Sequence, residues 1–276
     1  MNYIEINSLD REEIELYTRY NENQLAKANE PGIGYFVAES PEVINRALNA
    51  SYEPVSFLVD RDNINEVVEN TIKRCSVPVY VLEHDVIKDL PGYGLTRGML
   101  CLFKRKELKS VLEVIKDAKN IVILEDVMNP TNTGAIVRSS AALNIDAIIF
   151  TGGCADPLYR RAARVSMGTV FQIPWTYFDK KSNWPCDGID TIKKAGFTTI
   201  ATALLDNTLD IRDRVIHEKE KKAIILGTEG TGIKKETLDL CDYTVKIPMA
   251  HDVDSLNVAA ASAVTFWEMT RGDKLL

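Results

Sequence analysis

Three short stretches combine side chains that can do chemistry with the glycines and helix starts that could aim them. The first is EDVMNPTNTGAIVRSS (125–140), in which Asn129-Pro130 and Thr131-Asn132-Thr133-Gly134 read as a turn and Arg138 stands about one helical turn beyond Gly134. Amides exposed at a helix start, with an arginine nearby, suit a phosphate or another polar nucleotide group. A capped helix with a solvated Arg138 is the plainer reading of the same residues. The second is ILGTEGTGIKK (225–235). It has glutamate where a dinucleotide fingerprint has its second glycine, and Ile233 where a phosphate loop has its lysine, so neither motif applies. What remains is a glycine-rich turn that can bring its backbone close to a ligand while displaying the carboxylate of Glu229. The third is KIPMAHDVDSLNVAAASAV (246–264), where Ile247-Pro248-Met249 and Ser255-Leu256-Asn257 flank a polar loop containing His251. Asp254 or Ser255 is placed to cap the last helix. The small residues that follow admit a ligand or a close-packed neighbour.

Each stretch follows an apolar run. The runs IVILED, AIIFTG, TTIATALL, AIILGTE and YTVKIPM do not alternate with polar residues, the pattern of strands covered on both faces in a parallel sheet. The helices between them are TGAIVRSSAAL, PLYRRAARVSM, DTIKKAG, KKETLDL and SLNVAAASAVTFWEM. Residues 121–276 therefore read as an open α/β domain, and sites in such sheets lie at the carboxyl ends of the strands. Upstream, residues 31–103 read as a small α/β domain. Its strands are YFVAE (35–39), VSFLVD (55–60) and VPVYVLE (77–83), and its helices SPEVINRALNA (40–50) and INEVVENTIKRC (64–75). DLPGYGLTRGML (89–100) reads as a closing loop and the basic stretch 104–120 as a linker. Residues 1–30 read as an N-terminal helical extension, with one helix over 8–30 stopped by Pro31-Gly32.

Bulk properties narrow the class. The 276 residues are 45% hydrophobic, with no run as long as a membrane span. Five scattered cysteines without a C-x-x-C pair indicate reduced thiols in a cytoplasm, not disulfides or structural zinc. Residues 1–103 carry 9 Lys and Arg against 17 Asp and Glu, so they account for the net charge of −7. An anion-binding surface would be a local patch, and Arg160, Arg161 and Arg164 are the candidates.

Taken together and in order, the three stretches resemble the three motifs of the SpoU (TrmH-type) RNA 2′-O-ribose methyltransferases of the SPOUT superfamily. The first motif matches Asn132, Gly134 and Arg138, and the second matches Gly227, Glu229, Gly232 and Ile233. The third matches Ile247-Pro248-Met249 and Ser255-Leu256-Asn257-Val258, and RVSMGTVFQIPW (164–175) also resembles the family. The resemblance covers roughly 120–270 and extends less specifically to the upstream domain. Two departures stand out: His251 occupies a position where the third motif usually has glycine, and Ala259 follows Val258 where serine is frequent.

The resemblance implies a deep trefoil knot in the C-terminal parallel sheet, preceded by a small α/β substrate-binding domain. It implies S-adenosylmethionine held mainly through backbone groups of Leu226, Gly227, Ile247, Met249 and Leu256, with Thr202 and Ala203 nearby. It implies a homodimer whose site is completed across the interface. The implied reaction transfers a methyl group to a ribose 2′-hydroxyl, so the substrate is RNA and not DNA. Ribosomal RNA comes ahead of transfer RNA, and a catalytically silent RNA- or ribosome-binding relative is the alternative. Catalytic roles then fall to Asn132, Arg138, Glu229, Ser255 and Asn257, with Arg160, Arg161 and Arg164 as RNA contacts. No metal is expected.

Overall fold

The computed structural model describes residues 3–30, 32–90, 98–179, 183–205, 208–251 and 254–271. Its contacts divide the chain into two compact units, Met1–Glu107 with Leu158–Phe171, and Leu108–Pro157 with Gln172–Leu276.

The first unit contains β1 (Tyr3–Glu5), α1 (Glu15–Thr18), α2 (Glu22–Leu25), β2 (Tyr35–Glu39), α3 (Pro41–Asn49) and β3 (Pro54–Asp60). There follow α4 (Glu66–Ile72), β4 (Val79–Leu82), α5 (His84–Ile87), β5 (Met99–Lys104) and, from later in the chain, α8 (Arg160–Val165). The sheet order is β1-β4-β3-β5-β2. The β1/β4/β3 pairs are parallel, and β3/β5 and β5/β2 are antiparallel. The expected α/β unit is present, with two corrections. Residues 1–30 are no extension: β1 is the edge strand of the sheet, and Ile14, Tyr17 and Leu25 are buried in its core. The Tyr17 hydroxyl donates to the Ser56 carbonyl at 2.7 Å and accepts from the Leu102 amide at 3.0 Å. Nor is 8–30 one helix, because Asn21 forms a capping box with Gln24 and starts a new one.

The second correction concerns RRAARV, which the sequence places in the knotted domain and which instead packs on β2 as α8. Glu39, at the end of β2, is fully buried. Arg164 Nη1 reaches both its carboxylate oxygens at 3.1 Å, and Arg160 Nη1 lies 3.6 Å away. Stripping a buried carboxylate of its guanidiniums costs several kcal/mol, on the order of 3–5, so α8 stays with this unit. The segment expected as a linker is also divided, since Lys104 ends β5 and α6 begins at Val111. The closing loop expected at 89–100 lies mainly outside the described residues.

The second unit contains α6 (Val111–Val114), β6 (Asn120–Leu124), α7 (Pro130–Ala142), β7 (Ala147–Phe150), β8 (Trp175–Tyr177), α9 (Cys186–Lys194) and β9 (Thr198–Thr202). It continues with β10 (Leu209–Asp210), α10 (Arg214–His217), β11 (Lys222–Leu226), α11 (Lys235–Leu240), β12 (Tyr243–Lys246) and α12 (Val258–Met269). All pairs in its seven-stranded sheet are parallel, in the order β10-β12-β9-β11-β6-β7-β8. The five expected strands are present. The short edge strands β8 and β10 are additions that the apolar runs did not mark. Every residue of β6, β7 and β11 is buried, as their apolar runs require, and so are Asn120 and Lys222, which open β6 and β11. From β6 the chain builds outward through β7 and β8, then resumes on the other side, where β11 fills the place beside β6. Such a reversal opens a crevice at the strand ends. The first two stretches leave β6 and β11 at this point.

Candidate active site

The residues of the three stretches meet at Asn257. Its side-chain oxygen accepts the Ala259 amide at 2.9 Å and so caps α12, in place of the expected Asp254 or Ser255. Asparagine serves a cap well because it satisfies an amide that the first helical turn leaves unpaired. Its Nδ2 donates to Asn132 Oδ1 at 3.3 Å and to Glu229 Oε1. Asn132 is nearly buried in the first turn of α7, a helix capped by Asn129, which accepts the Thr131 amide at 2.8 Å. The packing of α12 on α7 keeps the two asparagines together.

Glu229 is carried by a loop that closes on itself. Thr228 and Gly232 form an antiparallel bridge, with the Gly232 amide donating to the Thr228 carbonyl at 3.1 Å. A Cβ on Gly227 would sit 2.5 Å from the Gly232 carbonyl carbon and the Ile233 nitrogen, so this backbone crossing requires glycine. Glu229 binds Asn257 and makes no hydrogen bond or ion pair with Arg138 among the described residues.

Arg138 and Ser255 stand apart from this cluster. Both are exposed, and neither side chain has a hydrogen-bond or ion-pair partner among the described residues. The proposed cofactor residues lie at the ends of adjacent strands: Thr202 ends β9, Leu226 ends β11, and Ile247 and Met249 follow β12. The peptide groups of Gly227, Ile247 and Met249 are not used in backbone hydrogen bonding among the described residues. The Ala203 amide is occupied by the Val245 carbonyl at 3.0 Å. Leu256 is 38% exposed, and Leu204 and Leu205 are exposed beyond β9. Unpaired peptide groups beside apolar side chains fit a flat heteroaromatic ring with a polar edge. The Cys154 thiol is pushed up by burial and hydrogen-bonds the Leu124 carbonyl at 3.0 Å, so it is no nucleophile.

Behind the loop stands Glu125, which the sequence analysis did not single out. It is 1% exposed and accepts the Lys234 amide at 2.7 Å and the Thr237 hydroxyl and Trp184 indole N–H at 2.5 Å each. The neighbouring Asp126 carboxylate pairs with Lys234 Nζ at 2.6 Å and holds that ammonium above its ordinary range. A charged pair closing an otherwise apolar strand, the final E-D of IVILED, was the signal available. Of the three arginines proposed for RNA, Arg160 and Arg164 are engaged with Glu39 in the first unit, and Arg161 is the exposed one.

Fold and site together define an α/β protein with a polar cluster at the switch point of a parallel sheet, its groups drawn from two helix starts and a glycine-rich loop. A family profile described as the SpoU rRNA Methylase family matches residues 119–267. An uncharacterized tRNA/rRNA methyltransferase of Mycobacterium bovis is 34% identical over 241 residues, covering 87% of this chain and 82% of that one. The chain belongs to the SpoU family of RNA methylases. Its fold resembles an AdoMet-bound rRNA methyltransferase from Sinorhizobium meliloti, with TM-score 0.79, 22% identity and 99% of each chain covered. It also resembles a solved RNA 2′-O ribose methyltransferase, with TM-score 0.77, 22% identity, and 97% and 98% covered.

Proposed function

We propose that this protein transfers a methyl group from S-adenosylmethionine to a ribose 2′-hydroxyl of a structured RNA, ribosomal RNA ahead of transfer RNA, in the cytoplasm. The observation that carries the reading is the meeting of Asn132, Glu229 and Asn257 from three separate stretches of chain, together with the unused peptide groups at the strand ends. S-adenosylmethionine, when bound, supplies an activated methyl group on its sulfonium. Leu226, Gly227, Ile247 and Met249 would hold it with backbone groups, Leu256 with its apolar side chain, and Thr202 and Ala203 would line the neighbouring strand end. The trefoil knot that the family resemblance implies would bring these loops to one place.

The chain's own residues position and stabilise. Asn132 and Asn257 orient the ribose, and Glu229 fixes Asn257 in the rotamer that serves both. Arg138 keeps its proton at any usable pH and so is no base. Its exposed guanidinium clamps the neighbouring phosphate and stabilises charge growing on the 2′-oxygen. Ser255 adds a hydrogen bond as α12 begins. The proton leaves to phosphate or water. Arg161 remains as the RNA contact on α8. The enzyme acts as a homodimer, a reading supported by the exposed α12 stripe of Ala260, Val264 and Trp267.

Arg138→Ala separates the roles. Methyl transfer from tritiated cofactor falls at least 100-fold (about 2.7 kcal/mol), while calorimetry finds cofactor affinity within about twofold of wild type. Equal loss of both would overturn the clamp, and label on a base would overturn 2′-O transfer.

A further inference from the structure

Glu125 reaches both mouths of the glycine-rich loop. Its backbone amide donates to the carbonyl of Leu226, the last residue before the loop, at 2.8 Å. Its carboxylate accepts the amide of Lys234, the first residue after the loop, at 2.7 Å, and the Thr237 hydroxyl of α11 at 2.5 Å. Between these anchors lie Gly227, with no room for a Cβ, and Glu229, which reaches Asn257. Lys234 is held a second time through Asp126.

We propose that Glu125 is a positioning residue whose carboxylate staples the exit of the loop 227–233, the β6–β11 ladder holding its entry, and so presets both the loop's unused backbone groups and the Glu229–Asn257 contact for the cofactor and the nucleotide. This rests on the methyltransferase reading of the site. The Lys234 amide on Oε1 and the Trp184 indole on Oε2 can only donate, so both oxygens at this position must accept, which a carboxylate does and a carboxamide does not. A buried carboxylate is weak support for stability alone, because apolar residues of similar size often serve as well. What the carboxylate supplies here is a fixed position for the loop's exit and for Trp184, which the sheet does not hydrogen-bond. The loop's glycines at φ 90° (Gly230) and 68° (Gly232) leave it many alternatives once released.

The test compares wild type with Glu125→Gln, which keeps the shape but turns an N–H₂ toward one of the donors. Hydrogen exchange is followed without cofactor, and S-adenosylmethionine affinity is measured by calorimetry. The expected result is exchange at least 10-fold faster in the peptide covering 227–237, with β7 unchanged, and a cofactor Kd raised at least 10-fold. Exchange that is unchanged, or raised equally across the unit, overturns the proposal, as does a Kd within twofold of wild type. Wild type that binds no S-adenosylmethionine while the loop-specific exchange effect appears would sink the cofactor reading and leave the staple standing. Should Glu125→Gln fail to fold, Thr237→Val removes one donor and carries both measurements, with smaller shifts in the same directions.

Discussion

His251 holds a backbone conformation that side chains resist. Its φ of 57° lies in the left-handed region, at the position where the family's third motif usually has glycine. The loop takes, with a histidine, a geometry that glycine adopts without strain. For a residue with a Cβ that costs about 1–2 kcal/mol, part of which the larger freedom of unfolded glycine would return. His251→Gly is expected to raise stability by up to about 1 kcal/mol with cofactor affinity unchanged, and His251→Val to lower stability. Chemical denaturation reads both. If His251→Gly is destabilising, the imidazole makes a contribution that its exposed position does not suggest. Asn257 shows the opposite economy, one amide serving as helix cap and as bridge between the start of α7 and the glycine-rich loop.

At the scale of elements, the parallel strands and the stretches at their ends were legible because unbroken apolar runs mark strands buried on both faces. What the stretches do to one another was not. Asn257 and Asn132 are 125 positions apart, and nothing local to either shows that they touch. Glu125 escaped notice because a carboxylate ending a strand reads as the start of a solvated loop until Lys234 and Thr237 are seen on it. Tyr17 made residues 1–30 look detachable, since its hydrogen-bond partners lie 39 and 85 positions away.

The end of β3 supplies a further prediction. His84 Nδ1 lies 2.8 Å from the buried Asp60 carboxylate, and this hydrogen bond, with the attraction of the same charge, raises the imidazole above its ordinary value of 6.5. The stabilisation is fully present below that value, the unfolded one, and is lost as pH rises through the higher folded value. The thermal midpoint should thus fall as pH increases from about 6.5, more in wild type than in His84→Gln. Parallel curves for the two proteins would refute the coupling.

For the molecule as a whole, the exposed face of α12 bears on assembly. Ala260, Val264 and Trp267 are spaced as one helical stripe, with Trp267 61% exposed. A tryptophan left in water on an apolar stripe is the kind of anchor that interfaces bury. Wild type is expected to sediment as a dimer and Trp267→Glu as a monomer, with the helical signal of the two alike. A monomeric wild type at micromolar concentration would refute the homodimer.

The return of α8 to the first unit sets a timetable for synthesis. The two arginines that pair with Glu39 are not made until the ribosome reaches Leu158–Phe171, about 60 residues after Glu107. At about 5–20 residues per second that wait lasts roughly 3–13 s. During it, the growing chain carries a carboxylate meant for burial and a β2 face meant for a helix, while β6, α7 and β7 are already emerging. The nascent protein thus depends on a segment that arrives out of turn, and that interval is when a chaperone has most to offer it.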